Sequence, residues 1–141
     1  MFVVGVAHDE PITDPLAGTL GAPAAEIVVL SYSNAGALRW SRATGCTDGS
    51  ALVAADGQGR VFIAGSFWHL LDLGQHKHED PPLTATRRHF VAGLDAADGS
   101  SSWLKLIEEL KSKLKLHDLL MGPKGELVPV GGFWDEVDLG R

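Results

Sequence analysis

Gly59-Arg60-Val61-Phe62-Ile63-Ala64-Gly65-Ser66-Phe67, followed by Trp68 and then Leu71-Asp72-Leu73-Gly74, is the stretch that decides the fold. Its apolar run, Val61 to Ala64, is continuous and short, which suits a strand buried on both faces better than a helix. A glycine-bearing turn, Asp56-Gly57-Gln58-Gly59, feeds directly into it, as in a β-hairpin. The same strand ending in glycine occurs three times, as Phe2-Val3-Val4-Gly5, Phe62-Ile63-Ala64-Gly65 and Val128-Pro129-Val130-Gly131, with the glycines 60 and 66 residues apart. The second and third copies continue alike, through Phe67-Trp68 to Leu71-Asp72-Leu73-Gly74 and through Phe133-Trp134 to Val137-Asp138-Leu139-Gly140.

Two further elements recur. Ile27-Val28-Val29-Leu30, leading through Gly36 to Trp40, corresponds to Phe90-Val91-Ala92 and Leu94, leading through Asp98-Gly99 to Trp103, with the tryptophans 63 residues apart. Ser50 to Ala55 with its turn corresponds to Asp118 to Met121 followed by Gly122-Pro123-Lys124-Gly125. The 141 residues therefore divide into copy 1 at about 1–49, copy 2 at about 50–116 and a partial copy 3 at about 117–141 of a single repeat domain.

On these residues the chain resembles a bacterial, myxobacterial-type family of exported β-propeller repeats, whose units pair a VxVxGSF strand with an FVAKLDxxG hairpin ending near a tryptophan. The middle copy, residues 59–67, 71–74 and 89–99 with Trp103, carries the resemblance best. It implies a mainly β chain of antiparallel four-stranded blades and an exported or cell-surface parent, and it assigns no activity. A blade has two apolar faces that only stacked neighbours can cover. Trp40 and Trp103 are expected to bury their rings between blades, contributing about 2 to 3 kcal/mol each.

One segment breaks the pattern. From Trp103 through Leu104-Lys105-Leu106-Ile107-Glu108-Glu109-Leu110-Lys111-Ser112-Lys113-Leu114-Lys115-Leu116, local rules predict an amphipathic helix over about 103–116. Trp103, Ile107, Leu110 and Leu114 form one stripe at helical spacing, Glu108/Lys111 and Glu109/Lys113 are opposite charges a turn apart, and Ser102 suits an N-cap. The stripe is the expected oligomer or partner contact. The element packs on the edge of the propeller or, with its net charge of +2, meets a partner or a membrane surface.

Composition narrows the function. The net charge of −6 gives no basic surface of the kind that nucleic acid requires. No apolar run reaches the length of a membrane span and no signal peptide stands at Met1. Cys46 is the single cysteine, so no intrachain disulfide forms. Neither Gly18-Thr19-Leu20-Gly21 nor Gly57-Gln58-Gly59 has the strand-to-helix context of a phosphate loop, no Gly-x-Ser-x-Gly is present, and no cofactor is implied. The densest polar cluster, Gln75-His76-Lys77-His78-Glu79-Asp80, offers His76, His78 and Glu79 as candidate metal ligands. Closed propellers use about 4 to 8 blades. The blades supplied here must be covered by copies of the chain in a ring, by the helix, or by further polypeptide. The expectation is a homo-oligomer acting as a non-catalytic binding or scaffold module, which presents the loops at 8–25 and 75–88 to a protein or glycan. The competing expectations are a metal-dependent hydrolase using His76, His78 and Glu79, and a propeller remnant with no independent function.

Overall fold

The computed structural model describes residues 1–7, 12–14, 18–20, 26–81, 87–107 and 114–132. Every regular element among them is a β-strand: β1 (Phe2–Ala7), β2 (Ile12–Asp14), β3 (Gly18–Leu20), β4 (Glu26–Tyr32), β5 (Leu38–Ala55), β6 (Arg60–Trp68), β7 (Leu70–Asp72), β8 (Lys77–Glu79), β9 (Arg87–Asp95), β10 (Ser101–Ile107), β11 (Lys115–Met121) and β12 (Leu127–Gly132). All pairings are antiparallel. Six strands join in the order β1-β4-β5-β6-β9-β10, and β2-β3, β7-β8 and β11-β12 form separate hairpins.

β6 explains the architecture. Val61 to Phe67 are all buried, and successive side chains point to opposite faces. Val61 and Ile63 join one apolar cluster with Ile27, Val29, Phe90, Ala92 and Leu94. Phe62 and Ala64 join a second with Val91, Ile107, Leu114 and Leu119. A strand buried on both faces needs a layer on each side, and both layers are present.

The first layer is made by β5 turning back on itself. Residues 38 to 46 pair with β4, whereas Thr47 and Ala51 to Ala55 pair with β6, with a break in register between Thr47 and Ala51. Extended, the chain from Trp40 to Ala55 would span about 50 Å. Yet Trp40 Nε1 donates to Ala96 O at 2.9 Å, and Ala96 N in turn donates to Gly59 O at 2.9 Å, in the turn that follows Ala55. The strand therefore doubles back. β1, β4 and the first half of β5 face the sheet formed by the second half of β5 with β6, β9 and β10. The small hairpin β2-β3 sits in the connection from β1 to β4, and β7-β8 sits in the corresponding connection from β6 to β9. The hairpin β11-β12 makes the third layer and packs Leu114, Leu116, Leu119, Met121 and Leu127 on the opposite face of β6 and β9. The boundary expected between copies near residue 50 lies within β5, and the one expected near 117 lies within β11.

The segment expected to be helical over 103–116 is different. Residues 103–107 belong to β10, 115 and 116 belong to β11, and 108–113 lie outside the described residues. Tertiary context overrides local propensity here. β9 has a free edge beyond β6, and β10 satisfies it by pairing Trp103 through Ile107 with Gly93 through His89. Extended, the segment uses apolar residues on both faces, Leu104 and Leu106 in the first cluster and Ile107 in the second. A helix would bury one stripe and leave the β9 edge unpaired. Ser102 acts as no cap; its hydroxyl donates to Gly93 O at 3.1 Å.

Candidate functional site

The β7-β8 hairpin carries the residues singled out as metal ligands. Asp72 closes its tip: Oδ1 accepts Gly74 N at 2.8 Å, Gly74 takes a φ of +82°, and Leu73 N donates to His76 O at 2.9 Å. β8 then alternates as a strand must, with Lys77 and Glu79 exposed on one face, bridged at 3.2 Å, and His78 turned inward on the other. His78 lies edge-on to Phe67 and its Nε2 donates to Asp80 Oδ1 at 3.2 Å. His76 is held elsewhere. Ser101 Oγ gives its only proton to Leu73 O at 3.0 Å, so His76 Nδ1 donates to Ser101 Oγ at 2.9 Å. Adjacent residues of a strand face apart, so Glu79 is separated from His78. Among the described residues no three His, Cys, Asp or Glu side chains gather to hold a metal ion.

Asp80, not Glu79, is the carboxylate built into this region. Its side chain is 3% exposed and accepts Arg88 Nε at 2.9 and 3.0 Å and Arg88 Nη2 at 2.8 Å, besides the His78 bond. The Arg88 hydrogen bonds outweigh desolvation and hold the Asp80 carboxyl below the usual carboxylate range, with His78 adding to the effect. This cluster fixes both ends of the connection between β8 and β9. The loop at 75–88 is described at 75–81 and 87–88, and its segment 82–86 lies outside the described residues. Of the 8–25 loop, only β2 and β3 are described.

Between the first two layers and the hairpin tip opens a cleft of about 570 Å³. Val29, Ile63 and Leu94 form its apolar back. Its mouth is polar, with Arg42, Asp72, Gln75 and Ser100. Arg42 is anchored across the layers, its Nε donating to Gly99 O at 3.2 Å and Nη2 to Asp98 O at 3.1 Å. Asp98 accepts Ser100 N at 2.8 Å, and that amide, followed by the Ser100 side chain and the Arg42 charge, keeps its carboxyl below the usual range. Thr44, 1% exposed, also borders the cleft, and among the described residues its buried Oγ1 has no hydrogen-bond partner.

The expected contact stripe is divided. Ile107 and Leu114 are spent inside the chain, buried in the second apolar cluster. Trp103 remains 38% exposed on a groove of about 520 Å³ shared with Leu116, Leu127 and Pro129, and Leu110 lies outside the described residues. Other large exposed apolar side chains include Leu120, Val128 and Val130 on the outer face of β11-β12, and Val3 on β1. No described helix is long and apolar enough to cross a membrane.

Sequence reasoning did not single out Arg42, Thr44 or Arg88, and it placed Asp80 in the polar cluster without choosing it as a ligand. Thr44 and Asp72 come to border one cleft through the reversal of β5, so no local spacing announces them. Only the Asp72-Leu73-Gly74 turn carried a local signal, an Asp two residues before a glycine. Comparison of the chain with protein-family models, curated proteins and solved structures gives no match.

Proposed function

We propose that the chain is a non-catalytic scaffold and binding module whose layers are propeller-type blades, and that copies stack head to tail and present the loops at 8–25 and 75–88 to a protein or glycan. The carrying observation is that the stack is apolar at both ends. At one end β11-β12 turns Leu120, Val128 and Val130 outward, between 40% and 48% exposed, with Leu120 and Val128 directly opposite each other. At the other, Val3 is 41% exposed opposite half-buried Leu30.

These are different surfaces, so the contact is heterologous and closes into a ring or extends as a fibre. The occupant of each end is a second copy, because the outer faces of β1-β4 and β11-β12 are both β-layers of the kind that already stack inside the chain. Pro129 removes a backbone donor from β12, which favours packing through its face over extension of its edge. The blade reading is supported by the matching strand order of β1-β4-β5 and β6-β9-β10, each with a small hairpin inserted at the same place.

Light scattering behind a sizing column tests this. The expected result is a discrete multiple of 15.0 kDa, reduced to the monomer by Leu120→Asp combined with Val128→Asp, with the strand content of the circular dichroism spectrum retained. A wild-type chain that runs as a monomer overturns the stacking.

A further inference from the structure

We infer that the apolar groove shared by β10, β11 and β12 is a docking site for the chain's own C-terminal segment, Phe133-Trp134-Asp135-Glu136-Val137-Asp138-Leu139-Gly140, which closes it as β7 closes the first interface. This goes beyond the scaffold reading above and needs neither stacking nor a partner.

The groove and the cleft hold corresponding positions in the two layer interfaces. Arg42, Thr44 and Ile63 border the cleft, and Lys105, Ile107 and Pro129, which follow them by 63, 63 and 66 residues, border the groove. The same intervals separate Trp40 from Trp103 and Gly65 from Gly131. The contents differ. In the first interface Phe67 and Leu71 are fully buried in the apolar cluster, and Leu73 packs against it. In the second, no described element takes the place of β7, and Pro129 and Gly131 are exposed beside half-buried Leu116 and Leu127.

The C-terminal segment, which lies outside the described residues, carries the residue types that this place requires. At a constant interval of 66, Phe67, Trp68, Leu71, Asp72, Leu73 and Gly74 match Phe133, Trp134, Val137, Asp138, Leu139 and Gly140. Val137 and Leu139 thus repeat the apolar pair that β7 and its turn give to the first cluster. Asp72 Oδ1 accepts Gly74 N with Gly74 at a φ of +82°, and Asp138 and Gly140 repeat that turn pair. His69, just before β7, is the one non-glycine with positive φ among the described residues, at +64°, and its match is Asp135, a residue type enriched in that region of backbone space.

The reach decides which copy supplies the segment. Gly131 borders the groove and Phe133 follows two residues later, so the local concentration of the tail is far above that of any second molecule. Trp103 matches Trp40, whose cover is the turn that holds Ala96 and Gly99, so Trp103 keeps its exposure when the segment docks.

The test is methyl NOE spectroscopy on the deuterated full chain with labelled Leu and Val methyls, in which Val137 and Leu139 are expected to contact Leu116 and Leu127. A sample refolded from a mixture of Leu-labelled and Val-labelled chains is expected to lose the contact between Val137 and Leu116, as an intramolecular contact must. Val137→Asp combined with Leu139→Asp is expected to lower the unfolding midpoint by at least about 5 °C, and Arg141→Ala, which matches exposed Gln75, to leave it unchanged. The inference falls if Val137 and Leu139 show no contact with the groove, or if the double variant unfolds like wild type. It also falls if the contact persists in the mixed sample, which would assign the groove to the tail of a second copy. A monomer that shows the contacts keeps the docked segment and loses the stacking, and a discrete multimer without them does the reverse.

Discussion

Trp40 and Trp103 occupy matching places in two copies of one sequence pattern, and their surroundings differ in an instructive way. Trp40 stands where two layers meet. Its indole donates to Ala96 across the layers, its ring lies 5.9 Å from Phe2, and it covers Gly99, whose φ is +73°. Trp103 stands where the second layer meets only a two-stranded hairpin. It lies 6.1 Å from Phe62, folds over Gly93 of the neighbouring strand and remains 38% exposed. The first interface is also sealed by β7-β8 and the Asp80 cluster, and the second has no counterpart to that hairpin among the described residues. A tryptophan on a sheet edge thus acquires its energetic meaning from the layer beyond it, not from its own residue type.

The largest expected effect tests that statement directly. Trp40→Ala removes a well-packed ring together with the acceptor-satisfying bond to Ala96, and is expected to cost about 4 kcal/mol. Trp103→Ala, losing part of a ring that water already reaches, is expected to cost about 1 kcal/mol. Denaturant unfolding of the isolated variants checks both. Equal losses would break the comparison and mean that the groove beside Trp103 is as well covered as the interface between the first two layers.

Next comes the seal on the filled interface. Asp80→Ala leaves Arg88 without the carboxylate it grips, and breaking such a pair in a largely buried setting costs about 3 kcal/mol. The pH dependence has a definite sign. Arg88 depresses the folded-state pKa of Asp80, so the stabilisation is fully present above the unfolded carboxylate value of about 3.9 and is lost as pH falls through the lower folded value. Unfolding curves of wild type and Asp80→Ala are therefore expected to differ most near neutrality and to draw together below about pH 4. A gap that persists unchanged in acid would assign the Asp80 contribution to packing.

Much of this arrangement was legible in the sequence, and its physics says which part. Strands such as β6 announce themselves because a continuous apolar run between glycine turns has few other ways to be buried, and the antiparallel, all-β character follows from that. The 103–116 segment was misleading because Trp103 and Ile107 fit a helical stripe, whereas Leu104 and Leu106 fit the opposite face of a strand. The free edge of β9, invisible locally, decided between them. His76, His78 and Glu79 look like a ligand set only while the segment is taken for a loop. Once Lys77–Glu79 is a strand, period two sends Glu79 away from His78. The cleft was not legible at all, since Thr44 and Asp72 come to border it only through the reversal of β5.

The finest distinction between the two interfaces lies in their turns. Gly99 and Gly125 both adopt positive φ, +73° and +78°, so an alanine at either pays about 1 to 2 kcal/mol for the left-handed backbone alone. At Gly125 a new Cβ would meet only the tip of the flexible Arg60 side chain at 3.4 Å, which can move aside. At Gly99 it would stand 2.8 Å from the Trp40 ring and 3.1 Å from Arg42 Cγ, neither of which can yield without loosening the layer contact. Overpacking of that kind adds about 1 to 3 kcal/mol. Gly99→Ala is therefore expected to be the more destabilising by about 2 kcal/mol, with the difference shrinking when Trp40 is also replaced by alanine, because residues in direct contact do not add independently. A double-mutant cycle in denaturant measures that coupling. A coupling near zero would mean that the turn and the indole do not bear on each other, and that the first interface owes its strength to its apolar back alone.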